Sequence, residues 1–549
     1  MLVVISLVTL VPVLYVIIGS FDTSGIGEPY RFGYTGWNDI FSNPKTLESV
    51  GYSFLLSIRI PIAIAMAFGI AWLLIRIQIP GRRFIEHALW FGFFLPPIPM
   101  TMGWILLLDS NYGLVNNLLQ QLPFIDGAVF SIYSITGIIW VHLALSTVPV
   151  MVILLAPALR QIDAVLEEAA SMSGAGPLIT LRRVTIPLIG PAIMTAFVAG
   201  LIRSLEVFEI EQILGTPVNI SVYATRIYDL INWDPPLFPQ AMALSAFFLV
   251  LLFTISVFYQ LYLRRLPSRP TLSGKGLRTQ PRVRSRWDYV ASAIILLYIA
   301  VSIFLPLAIL VLGSFTKLFG FFFLDSPWTT EHWKEVFTDP NFVGATVNSI
   351  VLGLSAGIIG TAIFSLIAWV LVRTEIWGRN IISVLTWLPW AIPGLVLGVT
   401  LLSLMLNVPV LSALYGTIVP LVLAMIIKEL PIGVQLLKSS LSQVSGDLEE
   451  AAQMAGSRFG TTFRRITLPL IAPMLVAVFL LIFMATMRDI STVVLLAAPG
   501  TRTLSLLMFD LATSSRFESA AVIGVIIALI SLIVTSIAFR IGLKLGVEH

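Results

Sequence analysis

The 549-residue chain has no cysteine, only four histidines and only 11% charged residues. Without cysteine it forms no disulfide and offers no thiolate, although this absence says little about the compartment. The histidines at positions 87, 142, 332 and 549 are scattered along the chain, so no metal site is predicted. Soluble proteins carry roughly 25% charged residues. The low charge, with 57% hydrophobic residues, therefore predicts a polytopic membrane protein.

The chain also lacks a phosphate-binding loop of the form Gly-x-x-x-x-Gly-Lys-Ser/Thr. The segment Gly274-Lys275-Gly276 has neither the upstream glycine nor the hydroxyl that should follow the lysine. No metal-ligand cluster and no nucleophile–base pair supports a membrane enzyme. The sequence thus predicts no catalytic residue and no bound cofactor in this chain.

Apolar runs of about 20 residues are long enough to cross a bilayer as helices. The sequence predicts roughly twelve spans, six in each half: Leu2–Ile18, Tyr52–Ile75, Leu89–Leu108, Ile135–Leu155, Ile186–Ile202, Ala241–Tyr262, Tyr289–Leu312, Thr346–Val372, Ile381–Leu406, Leu411–Ile427, Leu468–Met487 and Ala520–Phe539. No basic flank and no small-residue cleavage pattern accompanies the first run, so we expect a retained signal anchor; a truncated start is the alternative.

Basic residues fall into clusters that share one side of this predicted topology. They are Arg76, Arg82, Arg83, Arg182, Arg183, Arg264, Arg265, Arg269, Lys275, Arg278, Arg282, Arg284, Arg286, Arg373, Arg379, Arg464, Arg465, Arg540 and Lys544. Because positively charged loops remain in the cytoplasm, this side is predicted to be cytoplasmic in a bacterial inner membrane.

A Pro-, Ser-, Gly- and Arg-rich segment at 266–286 is predicted to be a flexible cytoplasmic linker. Its positive charge is explained by the positive-inside rule and by contact with anionic lipid, so binding to nucleic acid is not expected. The predicted domains are 1–265 and 287–549. An even number of spans in each half makes them parallel repeats about an axis along the membrane normal.

One polar stretch occurs twice, 282 residues apart, and 14 of the 25 positions from Glu167 to Pro191 are identical in the second copy. The copies lie in the segments 163–187 and 445–469. Each predicts a short helix on the cytoplasmic face: glutamates suit its N-terminal end, alanines let a partner surface approach closely, and a glycine ends it. In the second copy we expect Asp447 or Ser445 to cap a helix that runs from Leu448 to Ala455; in the first, Asp163 is the expected cap.

These residues resemble the EAA motif of the permease subunits of binding-protein-dependent ABC importers with the type I fold, here as two fused permease domains. The motif positions are Glu168, Ala169, Ala170, Gly174, Val184, Ile186 and Pro187 in the first copy, and Glu450, Ala451, Ala452, Gly456, Ile466, Leu468 and Pro469 in the second. The resemblance implies an all-α fold in which these helices couple to separate ATPase subunits, expected as a homodimer that binds ATP and Mg. It also implies a periplasmic or lipid-anchored substrate-binding protein.

Charged residues near or within the predicted spans are candidates for a substrate path, since charges inside a membrane are costly. They are Arg59, Glu206, Glu209, Lys428, Glu429, Arg488 and Asp489. The alternative for each is a helix end at the interface, with Lys428 and Glu429 as a neighbouring pair that steadies a helix bent at Pro431.

The cargo is predicted to be ferric iron, because the chain most resembles the fused permeases of ferric-iron importers. The segments that carry this likeness are 206–210, 214–217 and 225–228. Thiamine, phosphonate, polyamine, sulfate and molybdate importers share the fused plan or the motif and stay open. A proton-coupled secondary transporter with twelve spans is the alternative from another class, although it needs no exposed coupling helix.

Overall fold

The computed structural model describes residues 2–24, 29–162, 164–265 and 285–541. In these residues the regular structure is helical, apart from two isolated antiparallel bridges, Asp22 to Phe32 and Thr316 to Trp328. Helices satisfy every backbone N–H and C=O within one segment, which is the requirement for crossing a bilayer. The predicted all-α membrane fold is confirmed.

Eight helices in the described part of the chain are long and apolar enough to cross a membrane. They are Pro44–Arg76, Pro177–Glu206, Phe238–Tyr262, Arg286–Gly313, Pro340–Arg373, Val419–Gln443, Gly460–Arg488 and Phe517–Ala538. Seven of the predicted spans lie within these helices, except that the last predicted span extends one residue further, to Phe539. The eighth differs, because Val419–Gln443 begins well after the predicted start at Leu411, beyond a turn in which Gly416 has φ +81°.

Two predicted straight spans, Leu89–Leu108 and Ile381–Leu406, are wrong as single helices. The chain forms Arg82–Phe94 followed by Pro97–Leu108 at 102°, and Arg379–Ala391 followed by Gly394–Asn407 at 101°. A proline lies at both breaks: Pro96, which precedes Pro97, has ψ 145°, and Ile392, which precedes Pro393, has ψ 110°, both outside the helical region. A proline supplies no N–H and pushes the preceding residue away from helical geometry.

A third pair, Ile135–Leu145 and Val148–Arg160, is bent by 47°. The described residues therefore hold eight continuous helices that are long and apolar enough to span a membrane, or up to eleven candidate spans when each bent pair counts as one. The predicted number of twelve is therefore not confirmed. The first apolar run forms the shorter helix Leu2–Gly19. Short helices and turns between the spans are Thr35–Ser42, Leu114–Leu119, Ala164–Met172, Glu209–Leu214, Thr216–Val218, Tyr223–Asn232, Glu331–Thr338, Pro409–Ser412, Asp447–Met454, Val493–Leu496, Pro499–Thr501 and Leu504–Thr513.

The chain folds into two compact units that are not the two sequence halves. The C-half unit contains the described residues of 331–543 together with those of 1–47 and 223–250; the N-half unit contains 48–222 and the described residues of 251–330. The hydroxyl of Tyr15 accordingly lies 3.3 Å from the carbonyl of Ser403, within the C-half unit. The predicted boundaries at 265 and 287 mark the sequence repeats and stay a prediction, and the predicted linker lies mostly outside the described residues.

Helix Arg286–Gly313 belongs to the N-half unit although it begins the second repeat. Ser292 donates to the carbonyl of Pro80 at 2.7 Å, and Tyr298 donates to the carbonyl of Leu143 at 3.0 Å. A Cβ added at Gly103 would lie 2.2 Å from the carbonyl oxygen of Pro306. Glycine is needed there because the two backbones pack directly against each other.

Candidate functional site

The duplicated stretch forms a short helix in each copy, Ala164–Met172 and Asp447–Met454, here called the first and second motif helix. The second agrees with the predicted helix to within one residue at each end. Its first turn contains Asp447, Glu449 and Glu450, where negative charge is favourable. Ser445 accepts a hydrogen bond from the N–H of Asp447 at 3.2 Å, so Ser445 precedes the helix and Asp447 is its first residue. The predicted cap Asp163 lies outside the described residues.

A glycine follows each motif helix with a left-handed backbone: φ is +83° at Gly174 and +81° at Gly456. The next N–H groups return to the helix, Ala175 to the carbonyl of Ala170 at 3.0 Å and Ser457 to that of Ala452 at 2.9 Å. This arrangement satisfies helix carbonyls that would otherwise have no partner. A Cβ at either glycine would meet no atom of the described residues within 4 Å, so the backbone angle, not lack of space, favours glycine.

The outer face of each motif helix is exposed. Glu168 and Glu450 are exposed, and so are Ala169 and Ala451, whereas Ala170 and Ala452 are half-buried. The final residues, Met172 and Met454, are 91% and 89% exposed. A large apolar side chain that is repeated at equivalent positions and left almost fully in solvent is available for contact with another molecule.

The inner face of each motif helix contacts its own unit through the other glutamate of the pair. Glu167 Oε2 lies 3.1 Å from Arg76 Nε, and Glu449 Oε2 lies 3.3 Å from Arg373 Nε. Thr185 donates to Glu167 Oε1 at 2.8 Å; in the second copy Thr467 repeats this bond to Glu449 at 2.8 Å.

Each helix that follows the motif contains a π turn close to its start, at Leu181–Thr185 in the first copy and Phe463–Thr467 in the second. Pro187 and Pro469 are each the second residue of the α-helical segment after that turn. Single π turns inside α-helices are frequent at functional sites.

Arg59, a candidate for the substrate path, lies in a buried charged cluster of the N-half unit. Its Nη1 is 3.5 Å from Glu211 Oε1, and that oxygen is 2.8 Å from Nε2 of His142. Arg59 also donates to the carbonyls of Leu56 and Ser204, each at 3.1 Å. Arg59 and Glu211 are each only 1% exposed. The cluster joins the short helix Glu209–Leu214, which follows one span, to two other spans.

Lys428 and Asp489 form an ion pair in the C-half unit. Lys428 also lies 3.4 Å from the hydroxyl of Ser491 and 3.3 Å from that of Thr492. The pair joins helix Val419–Gln443 to the residue that follows helix Leu468–Arg488.

The remaining path candidates are placed as follows: Glu206 is half-buried, 3.2 Å from the exposed Arg203; Glu209 and Arg488 are half-buried; and Glu429 is buried. Helix Val419–Gln443 continues through Pro431 without a break. A role for these residues in a substrate path stays a prediction. Within the described residues, no group of three His, Asp or Glu side chains is arranged to hold a metal ion.

Residues 349–545, which contain the second motif helix, match a family model described as a binding-protein-dependent transport system inner membrane component. Over 224 residues the chain is 30% identical to a probable sulfate transport system permease protein of Helicosporidium, covering 39% of this chain and 80% of that protein. The chain belongs to this permease family. It is therefore a multi-pass permease component of an ABC importer.

Two further relatives extend the similarity over most of the permease. It is 26% identical over 476 residues to a ferric transport system permease protein of Actinobacillus pleuropneumoniae, covering 85% of this chain and 67% of that protein. It is 24% identical over 543 residues to an Fe(3+)-transport system permease protein of Haemophilus influenzae, covering 97% and 95%. The second alignment includes both motif helices of the permease.

Sequence reasoning identified the motif helices of the permease but missed the residues that hold them. From the sequence, Arg76 and Arg373 indicate only the orientation of the chain, and the motif assigns the coupling role to Glu168 and Glu450 rather than to the preceding glutamates. The signal was present, because an arginine ends the second span of each half and a threonine follows each Arg-Arg pair. Only the fold shows that these repeated residues meet.

Proposed function

We propose that this permease forms the translocation path of an ATP-driven importer and that each motif helix docks on a separate ATPase subunit. The observation that carries the proposal is the pair of exposed methionines, Met172 and Met454, on two helices that are otherwise tied to the protein. Methionine is flexible and polarisable and suits an apolar docking contact. The two copies match two ATPase subunits, for which a homodimer is the simplest arrangement.

The motif helices belong on the cytoplasmic side, where ATP is available. The exposed pairs Arg182 with Arg183 and Arg464 with Arg465 begin ten residues after the end of each motif helix, and positive residues are enriched in cytoplasmic loops. Because the chain has no cysteine, a single Met454→Cys variant has no background label. A membrane-impermeant maleimide should label it in inside-out vesicles from cells that lack the ATPase and not in intact cells; labelling in intact cells would overturn this orientation.

Co-purification tests the docking proposal. The permease is extracted together with the co-expressed ATPase, and the variants Gly174→Asp and Gly456→Asp are compared with the unchanged chain. We expect the ATPase to be retained by the unchanged permease and lost by the double variant. A permease that binds no ATPase with intact motif helices, and transports with a proton gradient alone, would be a secondary transporter.

Ferric iron is the proposed cargo, delivered by a periplasmic or lipid-anchored binding protein. Support comes from the two relatives named as ferric transport permeases, which align over 85% and 97% of this chain. Sulfate is the second candidate, because the relative at 30% identity is named as a sulfate permease, although it covers only 39% of the chain.

Uptake assays with the co-expressed binding protein distinguish the two cargoes. Cells with and without the permease are given radioactive ferric citrate or radioactive sulfate, each against an excess of the unlabelled other. Permease-dependent uptake of iron that sulfate does not compete with supports the proposal. Permease-dependent uptake of sulfate alone would replace iron with sulfate and leave the docking proposal intact.

A further inference from the structure

Each motif helix is held by a cluster of an arginine, a glutamate and a threonine, and the two clusters are built from the same atoms. The first cluster is Arg76, Glu167 and Thr185; the second is Arg373, Glu449 and Thr467. Arginine Nε faces Glu Oε2 at 3.1 and 3.3 Å, and threonine Oγ1 donates to Glu Oε1 at 2.8 Å in both. We call these clusters the carboxylate clamps.

The arginine of each clamp also binds the end of a third segment. Nη2 of Arg76 donates to the carbonyls of Leu159 and Ile162 at 3.4 and 3.2 Å. In the second clamp, Nη2 of Arg373 donates to those of Leu441 and Val444 at 3.3 and 2.7 Å. These carbonyls lie at the C-terminal ends of helices Val148–Arg160 and Val419–Gln443, where a positive charge is favourable.

Four segments therefore meet at each clamp. The arginine is the last residue of one span, the two carbonyls lie at the end of a second, the threonine lies in the π turn near the start of a third, and the glutamate lies in the motif helix. Each clamp is contained within one compact unit, the first in the N-half unit and the second in the C-half unit.

The clamps are shielded from water, which strengthens the interaction between their charges. The side chains of Arg76 and Glu167 are 12% and 19% exposed, and those of Arg373 and Glu449 are 15% and 14% exposed. Both threonines are 1% exposed. The neighbouring glutamates, Glu168 and Glu450, are exposed instead, because successive helix residues point about 100° apart.

A short helix bounded by flexible residues needs such a link if it is to transmit force. Gly174 follows the first motif helix, and Gly446 and Gly456 flank the second. If the helix were joined to the protein only through these residues, a partner that moved its exposed face would rotate the helix about them. The spans would not move with it. The clamp fixes the helix to the ends of three spans.

We propose that Arg76, Glu167 and Thr185, with Arg373, Glu449 and Thr467, are positioning residues that make each motif helix move as one body with three spans. This inference rests on the proposed docking of the motif helices on ATPase subunits. The clamps would convert movement of the ATPases into movement of the path, so their loss should leave ATP hydrolysis intact and separate it from transport.

The test uses the permease with its ATPase and binding protein in proteoliposomes, and it measures ferric iron taken up per ATP hydrolysed. The variant Arg76→Gln with Arg373→Gln should retain the ATPase on purification and continue to hydrolyse ATP. We expect uptake per ATP to fall about 2- to 30-fold for each clamp that is lost, the range for a mutation that weakens the coupling between two sites. Thr185→Val with Thr467→Val, which removes only the hydroxyl groups, should give a smaller fall.

The matched control is Arg83→Gln with Arg379→Gln, which removes two charges from the same predicted side and should leave uptake per ATP unchanged. Charge reversal supplies a rescue: Arg373→Glu with Glu449→Arg should recover part of the ratio that Arg373→Glu alone loses. An unchanged ratio in the Arg76→Gln and Arg373→Gln variant, with the ATPase bound, would overturn the clamp. Failure of the unchanged permease to bind the ATPase would instead overturn the docking proposal.

Discussion

Replacing the exposed methionines of both motif helices by serine should weaken binding of the ATPase without harming the permease itself. Met172 and Met454 are 91% and 89% exposed, so the fold gains little from them and almost the whole side chain is available to a partner. Complete burial of a methionine is worth about 1.5–3 kcal/mol. Loss of one such contact corresponds to about a 10- to 150-fold increase in Kd.

The assay measures the Kd between purified ATPase and the detergent-solubilised permease for Met172→Ser, Met454→Ser and the double variant. Each single variant should weaken binding, and the double variant should weaken it further. Met172→Leu with Met454→Leu keeps volume and apolarity and should bind within a few-fold of the unchanged chain. Phe124→Ser alters a side chain that is 77% exposed in another loop and serves as the control for non-specific loss.

Equal affinity of the double serine variant and the unchanged permease, at equal thermal stability, would refute the docking contact. A loss of affinity accompanied by a fall in thermal stability would mean that the methionines support the fold, contrary to their exposure. A matching loss in Phe124→Ser would mean that the assay reports general apolar adhesion. Only a loss confined to the motif helices supports the account.

Further predictions concern the motif glycine, the buried charges and pH. Gly456→Asp should abolish ATP-driven uptake while immunoblots show a normal amount of permease in the membrane. The backbone angle φ of +81° strains any side chain, and the new charge would face the docked partner. Normal uptake by this variant would contradict the docking role. Glu211→Gln should leave the buried Arg59 without its carboxylate partner and lower the free energy of unfolding by about 3–5 kcal/mol. The melting temperature in detergent should therefore fall far more than for Arg203→Gln, which alters an exposed side chain. Equal effects of the two variants would contradict a stabilising role of the buried cluster. Burial raises the pKa of Asp510 above its ordinary value, an effect that the attraction of Arg502 only partly offsets. Stability supplied by the protonated carboxyl is therefore lost as pH rises from the unfolded pKa through the folded one, and melting curves from pH 4 to 8 should decline less for Asp510→Asn than for the unchanged chain.

The motif helices could be predicted closely because their determinants are local. The motif specifies a helix with defined ends, because glutamates lie in its first turn, small residues in its middle and a glycine at its end. The duplication indicates that the pattern is not a chance arrangement. The structure places Asp447–Met454 within one residue of the prediction and gives Gly456 the left-handed backbone that ends it.

The broken spans were predictable in part. Pro96 and Pro97 interrupt the first of these apolar runs, and Pro389 and Pro393 interrupt the second. A proline pair within an apolar run is compatible with a kink or a complete break, and the angle of about 101–102° depends on packing as well as on the proline. Hydropathy alone cannot give that angle.

The carboxylate clamps and the buried cluster around Arg59 could not be predicted without the three-dimensional fold. Whether Glu167 or Glu168 turns inward depends on how the helix is rotated, and its partner Arg76 ends a different span. Similarly, His142 is one of four histidines that are scattered along the sequence, whereas in the structure its Nε2 lies 2.8 Å from Glu211 Oε1. Contacts between residues far apart in sequence are tertiary and leave no local pattern.

Import into proteoliposomes that contain the permease, its ATPase subunits and the binding protein tests the central claim most directly. Uptake of radioactive ferric iron is measured with ATP supplied to the face on which Met454→Cys is labelled, and again with a proton gradient and no ATP. The account predicts uptake with ATP, loss of that uptake in Gly174→Asp with Gly456→Asp, and none with the gradient alone. Gradient-driven uptake that needs neither ATP nor intact motif helices would contradict it.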